Sequence, residues 1–284
     1  MKKNSGFKSF FILPIIIYTF VLILLPIIYI LFLSFCTSDS YGGILYNFTL
    51  DNYLNIFDMT YIKMLLKSSL IAIVTTFICI LISYPFALIL RNKSEHIKNL
   101  TTKLIMVPFL TNSLIRTYGW IILLRKNGII NKFLTSLGII AFPLNLMYNK
   151  LGIIIGMTYT LLPFMLLPVC SAVFEIDKSL IEAAKDLGAK PLQIFKNIIL
   201  PQTISGVFNG SLMVFIPAIG YFFIADILGG GKTMIIGNLI KNQFLTARNW
   251  SFGSAIAIFL IIITFALVKV YKKLGGKMEE LGGL

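Results

Sequence analysis

Few residues in this sequence have the types and spacing that chemistry needs. Gly229-Gly-Gly-Lys-Thr233 ends like a phosphate-binding loop, whose pattern G-x-x-x-x-G-K-[ST] cradles a nucleotide on backbone N–H groups. That pattern needs glycine at position 226, and Asp226 stands there instead. The turn is therefore read as a flexible outer loop, and any ATP hydrolysis must come from another chain. His96 is the only histidine, and Cys36, Cys79 and Cys170 are scattered singly. That rules out a multi-His metal centre and a CxxC pair, and it leaves a Ser/His/Asp triad no route except through His96.

What remains are charges in apolar surroundings. Asp226 is the one acid within a long apolar stretch, and Phe222 and Phe223 precede it at i−4 and i−3, on the same face of a helix. A carboxylate beside aromatic faces suits an organic cation, through ion pairing and cation–π attraction. Charges inside a bilayer cost about 2.5–3.5 kcal/mol at a helix centre on insertion scales, so such residues are functional candidates. The alternatives for Asp226 are a solvated helix terminus or a pair with Arg116, a base inside the third apolar stretch. A cation would repel cationic cargo, so Arg116 is predicted to be structural. It could pair with Asp226 or bond carbonyls freed near Pro108 or Pro217. Tyr118 and Trp120 suit the aromatic belt of a membrane interface.

A second cluster is polar. Four of the chain's eleven acids, Glu175, Asp177, Glu182 and Asp186, fall between Glu175 and Pro201. The stretch Ser179 to Leu187 reads as a short helix, with Ser179 as N-cap and Glu182 completing a capping box. Gly188 stands where a left-handed terminator is expected, and Pro191 blocks continuation. Ala183 and Ala184 give the helix a small-residue patch that another protein can approach closely. Glu182 and Asp186 are an (i, i+4) like-charge pair, better suited to meeting a basic groove than to water.

These residues need elements to position them. Hydrophobic residues make up 57% of the 284 residues and charged residues only 13%, with a mean hydropathy of +0.90. Soluble domains carry about 25% charge, so the chain belongs in a lipid bilayer. A crossing needs about 20 apolar residues. Six stretches qualify, near 10–35, 65–90, 104–124, 151–174, 204–228 and 252–271. The first is too long for a signal peptide and lacks a small-residue cleavage site, so it is predicted to be retained. Seven prolines (Pro14, Pro26, Pro85, Pro108, Pro163, Pro168 and Pro217) fall in these stretches, as in a bundle with a moving or wet interior. A weakly apolar region near 125–150 has room for a helix along the outer surface.

The net charge is +14, from 25 Lys+Arg against 11 Asp+Glu. With six crossings, fifteen bases fall on the side of the N-terminus, nine opposite, and Arg116 within a span. The excess predicts cytoplasmic termini and explains the basic loops without nucleic acid. The first outer loop, Thr37 to Thr60, agrees: it holds Asp39, Asp51 and Asp58 and no base. The chain is expected to form one multi-pass domain, residues 1–284.

The spacing Glu182-Ala183-Ala184, three residues, Gly188, nine residues, Ile198, one residue, Leu200-Pro201 resembles the EAA loop of ABC importer permeases, and it follows the fourth of six spans. The resemblance extends to Val107–Trp120, Tyr159–Met165, Asp226–Gly231, Ile236–Ile240 and Asn249–Gly253, which are similar to the spermidine/putrescine subfamily and, within it, to the first of its two permeases. It implies a type I ABC importer permease fold in a bacterial cytoplasmic membrane. Implied partners are a homologous second permease, two ATP-binding subunits that hold the nucleotide, and an extracytoplasmic polyamine-binding protein. The loop would be the coupling helix, with Glu182, Ala183, Ala184, Asp186 and Gly188 at the ATPase contact. Asp226, Phe223 and Phe222 would meet the polyamine. No cofactor or metal is expected. The alternatives are an ABC permease for another small organic solute and a secondary transporter.

Overall fold

Apolar runs too long for a soluble core fold here as helices. In the computed structural model, which describes residues 13–39 and 42–273, five helices are long and apolar enough to cross a membrane. The chain divides into two compact units, one from the described parts of Met1–Ile62 and Leu239–Thr264, the other from Lys63–Asn238 and Phe265–Leu284.

The first unit begins with α1 (Leu13–Leu33), apolar on every side and exposed along nearly its whole length, the pattern of a lipid-immersed helix. Residues 10–12 of the first predicted span lie outside the described residues. After α1 come two short antiparallel strands, β1 (Thr37–Ser38) and β2 (Ile44–Leu45), with Thr37 opposite Leu45. They are followed by α2 (Asp51–Ile56). The Asn52 amide of α2 donates to the carbonyls of Ser34 (3.0 Å) and Cys36 (2.8 Å), satisfying groups left open at the end of α1. Asn249 then ties the later part of this unit back, its Oδ1 accepting from Ser38 Oγ at 2.9 Å.

The second unit holds most of α3 (Met59–Arg91), then α4 (Glu95–Met106), α5 (Ser113–Leu124) and α6 (Ile129–Ser136). It continues through α7 (Lys150–Phe174), α8 (Lys178–Asp186), α9 (Pro191–Gly220) and α10 (Phe222–Gly229). Two further helices, α11 (Ile236–Leu245) and α12 (Trp250–Lys273), complete the described chain. The central helix is α7, with Met157, Leu161, Met165 and Val169 fully buried. Gly206 and Gly210 of α9 lie against Pro168, Ala172 and Met165 of α7, where a side chain would collide. Gly156 of α7 does the same against Ile224 and Leu228 of α10. Such small-residue spacing lets apolar helices approach closely without a hydrophobic driving force.

Two predicted spans are not continuous. The stretch 104–124 is cut by a 3₁₀ turn at Val107–Leu110 and an extended Thr111. Pro108 removes a backbone donor, and Asn112 N-caps a new helix by accepting from Leu114 N at 2.8 Å. The stretch 204–228 breaks at Tyr221 (φ −75°, ψ 61°), four residues after Pro217. Gly237 of α11 lies so close to the Gly220 carbonyl that no Cβ would fit. Hydropathy averages over both interruptions, which is why the sequence reads each as one span.

Candidate functional site

The acidic loop folds as its sequence directs, with one shift. Helix α8 begins at Lys178, and Asp177 rather than Ser179 is the N-cap, its Oδ1 accepting from Ser179 N at 2.9 Å. An aspartate there meets both the orphan N–H and the positive end of the helix. These bonds hold the Asp177 carboxyl below the usual carboxylate range, with the Arg91 charge adding a smaller push in the same direction. At the other end, Gly188 takes φ +77°. Gly188 N donates to Lys185 O (2.9 Å) and Ala189 N to Ala184 O (3.0 Å), the paired bonds of a Schellman terminator. The next helix starts at Pro191, after Lys190 N donates to Gln193 Oε1 at 2.7 Å.

Between these caps no residue of α8 is buried. Glu182, Ala183, Asp186 and Gly188 are exposed and Ala184 is half-buried. Leu187 and Leu192 stand 88% and 76% exposed beside the acids. The helix is thus fixed at both caps and left open along its length.

Two basic residues, read from sequence only as orientation signals, hold the start of this segment. Arg91, at the end of α3, donates from Nη2 to Ile176 O at 2.9 Å. Lys98 of α4 pairs with Glu95 at 2.7 Å and lies 5.1 Å from the centre of the Phe174 ring. Both are over nine-tenths buried, unusual for surface-loop bases, but no sequence pattern distinguishes them from their neighbours.

The second cluster surrounds Asp226. Its Oδ1 accepts from Asn238 Nδ2 at 2.6 Å, and the same amide donates to Phe222 O at 3.0 Å. Asn238 is 2% exposed, and its Oδ1 accepts from Ile235 N at 3.0 Å. Ile236 N in turn donates to Ser68 Oγ of α3 at 2.8 Å. The broken end of the fifth stretch is thus fastened to α11 through one asparagine, which the sequence marks only as the polar member of Ile236–Ile240. Phe222 is exposed, Phe223 half-buried, and their rings meet edge to face at 6.3 Å. Tyr221, at the break, packs 4.8 Å from Phe223 and adds a third ring. Arg116 forms no ion pair with Asp226. Its guanidinium lies 5.7 Å from the Phe109 ring centre, next to the Pro108 turn, and Phe109 meets Phe164 at 5.0 Å. Trp120 packs against Tyr159 at 5.3 Å.

Apolar helices long enough to cross a bilayer, with two of the expected spans interrupted near charged and aromatic residues, define a multi-pass membrane protein. The chain belongs to the family described as the binding-protein-dependent transport system inner membrane component, which it matches over residues 4–278. It is thus a multi-pass inner-membrane transport component and not an enzyme. Among its relatives is "Spermidine/putrescine transport system permease protein PotB" of Salmonella typhimurium, 42% identical over 95% of this chain and 94% of that one. The protein of the same description from Haemophilus influenzae is 39% identical, over 97% and 98%. The fold is similar to that of a bacterial ABC transporter involved in the import of alginate, with TM-score 0.72, 16% identity and 96% of each chain covered.

Proposed function

We propose that the chain is one permease subunit of an ATP-driven importer of polyamines of the spermidine/putrescine class. Identity of 39–43% to relatives described as spermidine/putrescine permeases carries the substrate assignment. The chain acts as a single permease domain with six crossings, α1, α3, α4–α5, α7, α9–α10 and α12, and both termini in the cytoplasm. The capped, unburied helix α8 docks into an ATP-binding subunit through Glu182, Ala183, Ala184, Asp186 and Gly188. Two such subunits hold the nucleotide, and this chain binds none. A homologous second permease and an extracytoplasmic polyamine-binding protein complete the machine.

Cargo passes Asp226, Phe222 and Phe223. Asn238 fixes the carboxylate in orientation while contributing no charge, and the aromatic faces beside it suit an alkylammonium. ATP binding on the partners pushes α8 and opens the bundle outward, and hydrolysis resets it. Competition uptake with labelled spermidine and putrescine tests the substrate class. Asp226→Asn should lower uptake at least tenfold while the complex still assembles, and unchanged kinetics would remove Asp226 from the path. Transport in vesicles driven by an ion gradient without ATP would instead favour a secondary carrier.

A further inference from the structure

A groove with a mixed polar and apolar lining runs along the seam of α7 and α9 and shares no residue with the Asp226 cluster. Its volume is about 300 Å³. From Phe164 to Glu175 it follows eleven residues of α7, about 16 Å at 1.5 Å per residue. Phe164 and Met213 line one end, Asn209 and Ser205 the α9 wall, and Ser171 and Glu175 the other end. These hydroxyls, an amide and a carboxylate are set into two helices otherwise apolar enough to cross a bilayer. Polar residues so placed face a bundle interior or a wet cavity rather than lipid.

Glu175 has no structural explanation. It is the C-cap residue of α7, at the negative end of a 25-residue helix, where a base rather than an acid is stabilising. Among the described residues its carboxylate takes one hydrogen bond, a long one from Ser171 Oγ at 3.3 Å, and no ion pair. Among the described residues no base lines the groove. The nearby Arg91 and Lys98 are engaged with Ile176 O and Glu95. A carboxylate and a helix C-terminus therefore add their negative potentials at one mouth of an elongated, base-free groove.

We infer that this groove is a second cation subsite, on the cytoplasmic half of the path, in which Glu175 receives a primary ammonium with Ser171 and Ser205 as acceptors. The aliphatic and aromatic wall from Pro168 to Phe164 takes the alkyl chain. The subsite rests on the polyamine reading for its cargo and on cytoplasmic termini for its side, whereas its cation preference rests on the groove alone. It gives a departing polycation a negative foothold after Asp226, weak enough for release because Glu175 is open to water.

The test uses the assembled transporter in inside-out vesicles with Ser205→Cys, the three native cysteines being buried. Labelling by a trimethylammonium methanethiosulfonate should outpace its sulfonate analogue, and spermidine should slow it. Adding Glu175→Gln should lower the cation-to-anion rate ratio by roughly tenfold, the effect of one partly screened charge at close range. Glu175→Asp should keep most of the ratio. A ratio indifferent to Glu175→Gln overturns the subsite. A ratio that depends on Glu175, with no protection by polyamines and no spermidine uptake, upholds the cation subsite and overturns the polyamine reading.

Discussion

The α7–α9 seam floors this groove, and Gly206→Ala measures how tightly it is closed. A Cβ at position 206 would stand 2.5 Å from Ala172 Cβ and 2.7 Å from Pro168 O. Carbon contacts settle near 3.5–4.0 Å, so the shortfall is about 1 Å. Neither obstacle is the end of a flexible side chain. One is a backbone carbonyl and the other a Cβ fixed to its backbone, so the helices themselves must part. Overpacking of this kind costs about 1–3 kcal/mol. Alanine recovers up to about 1 kcal/mol through its helix propensity. Gly119→Ala in α5 isolates that gain, because nothing lies within 4 Å of its Cβ. The two variants should differ by about 1–3 kcal/mol, with Gly119→Ala at or above the parent and Gly206→Ala below it. Denaturant midpoints of the detergent-solubilised complex give the comparison. Ala172→Gly added to Gly206→Ala should recover part of the loss by removing one of the two collisions. Equal stability of the two single variants would refute the packing argument.

At the terminator of α8, Gly188→Ala places a side chain at φ +77° and should cost about 1–2 kcal/mol locally, with Gly188→Asn milder. Binding-protein-stimulated ATP hydrolysis of the complex should fall in that order. At the N-cap, Asp177 has a depressed pKa, so its contribution is full above the ordinary carboxylate value and is lost only as pH falls through the folded-state value. The protection factor of the Ser179 amide should therefore be level from neutral to mildly acidic pH and fall below that. Asp177→Ala should lower it several-fold at neutral pH, and the two proteins should converge at low pH, where the parent's carboxylate is protonated. Asn238→Ala removes the buried amide that donates to Asp226 and to Phe222 O, at about 1 kcal/mol for each hydrogen bond lost. The variant should lose thermal stability, and Asn238→Asp should lose more by setting two carboxylates together.

Much of α8 was legible because its signals are local. A glycine at φ > 0, a proline and an acidic cap act within one turn of the residues they end. The two-residue shift of the N-cap, from Ser179 to Asp177, arises because both residue types cap well. The spans were legible as apolar mass but not as continuous helices. Pro108 and Asn112 signal a break in the third stretch, yet a window of about 20 residues dilutes them. Tyr221 carries no signal of its own, and the close approach beside it, Gly237 of α11 on the Gly220 carbonyl, joins residues distant in sequence. Asn238, Arg91 and Lys98 were illegible as site residues for a related reason. Each acts on a group distant in sequence, and residue type does not reveal the partner.

The anchoring of Ile176 and Phe174 by Arg91 and Lys98 gives the loop unequal ends. Its near end is clamped by two charged side chains on α3 and α4. Its far end runs into Phe195–Ile199, a π-helical stretch with a wider turn than α-helix. The loop is therefore held by side chains distant in sequence at one end and by a local change of helical pitch at the other. Arg91 and Lys98, which the sequence offers only as basic residues on the side of the N-terminus, are the side chains that fix where this loop begins.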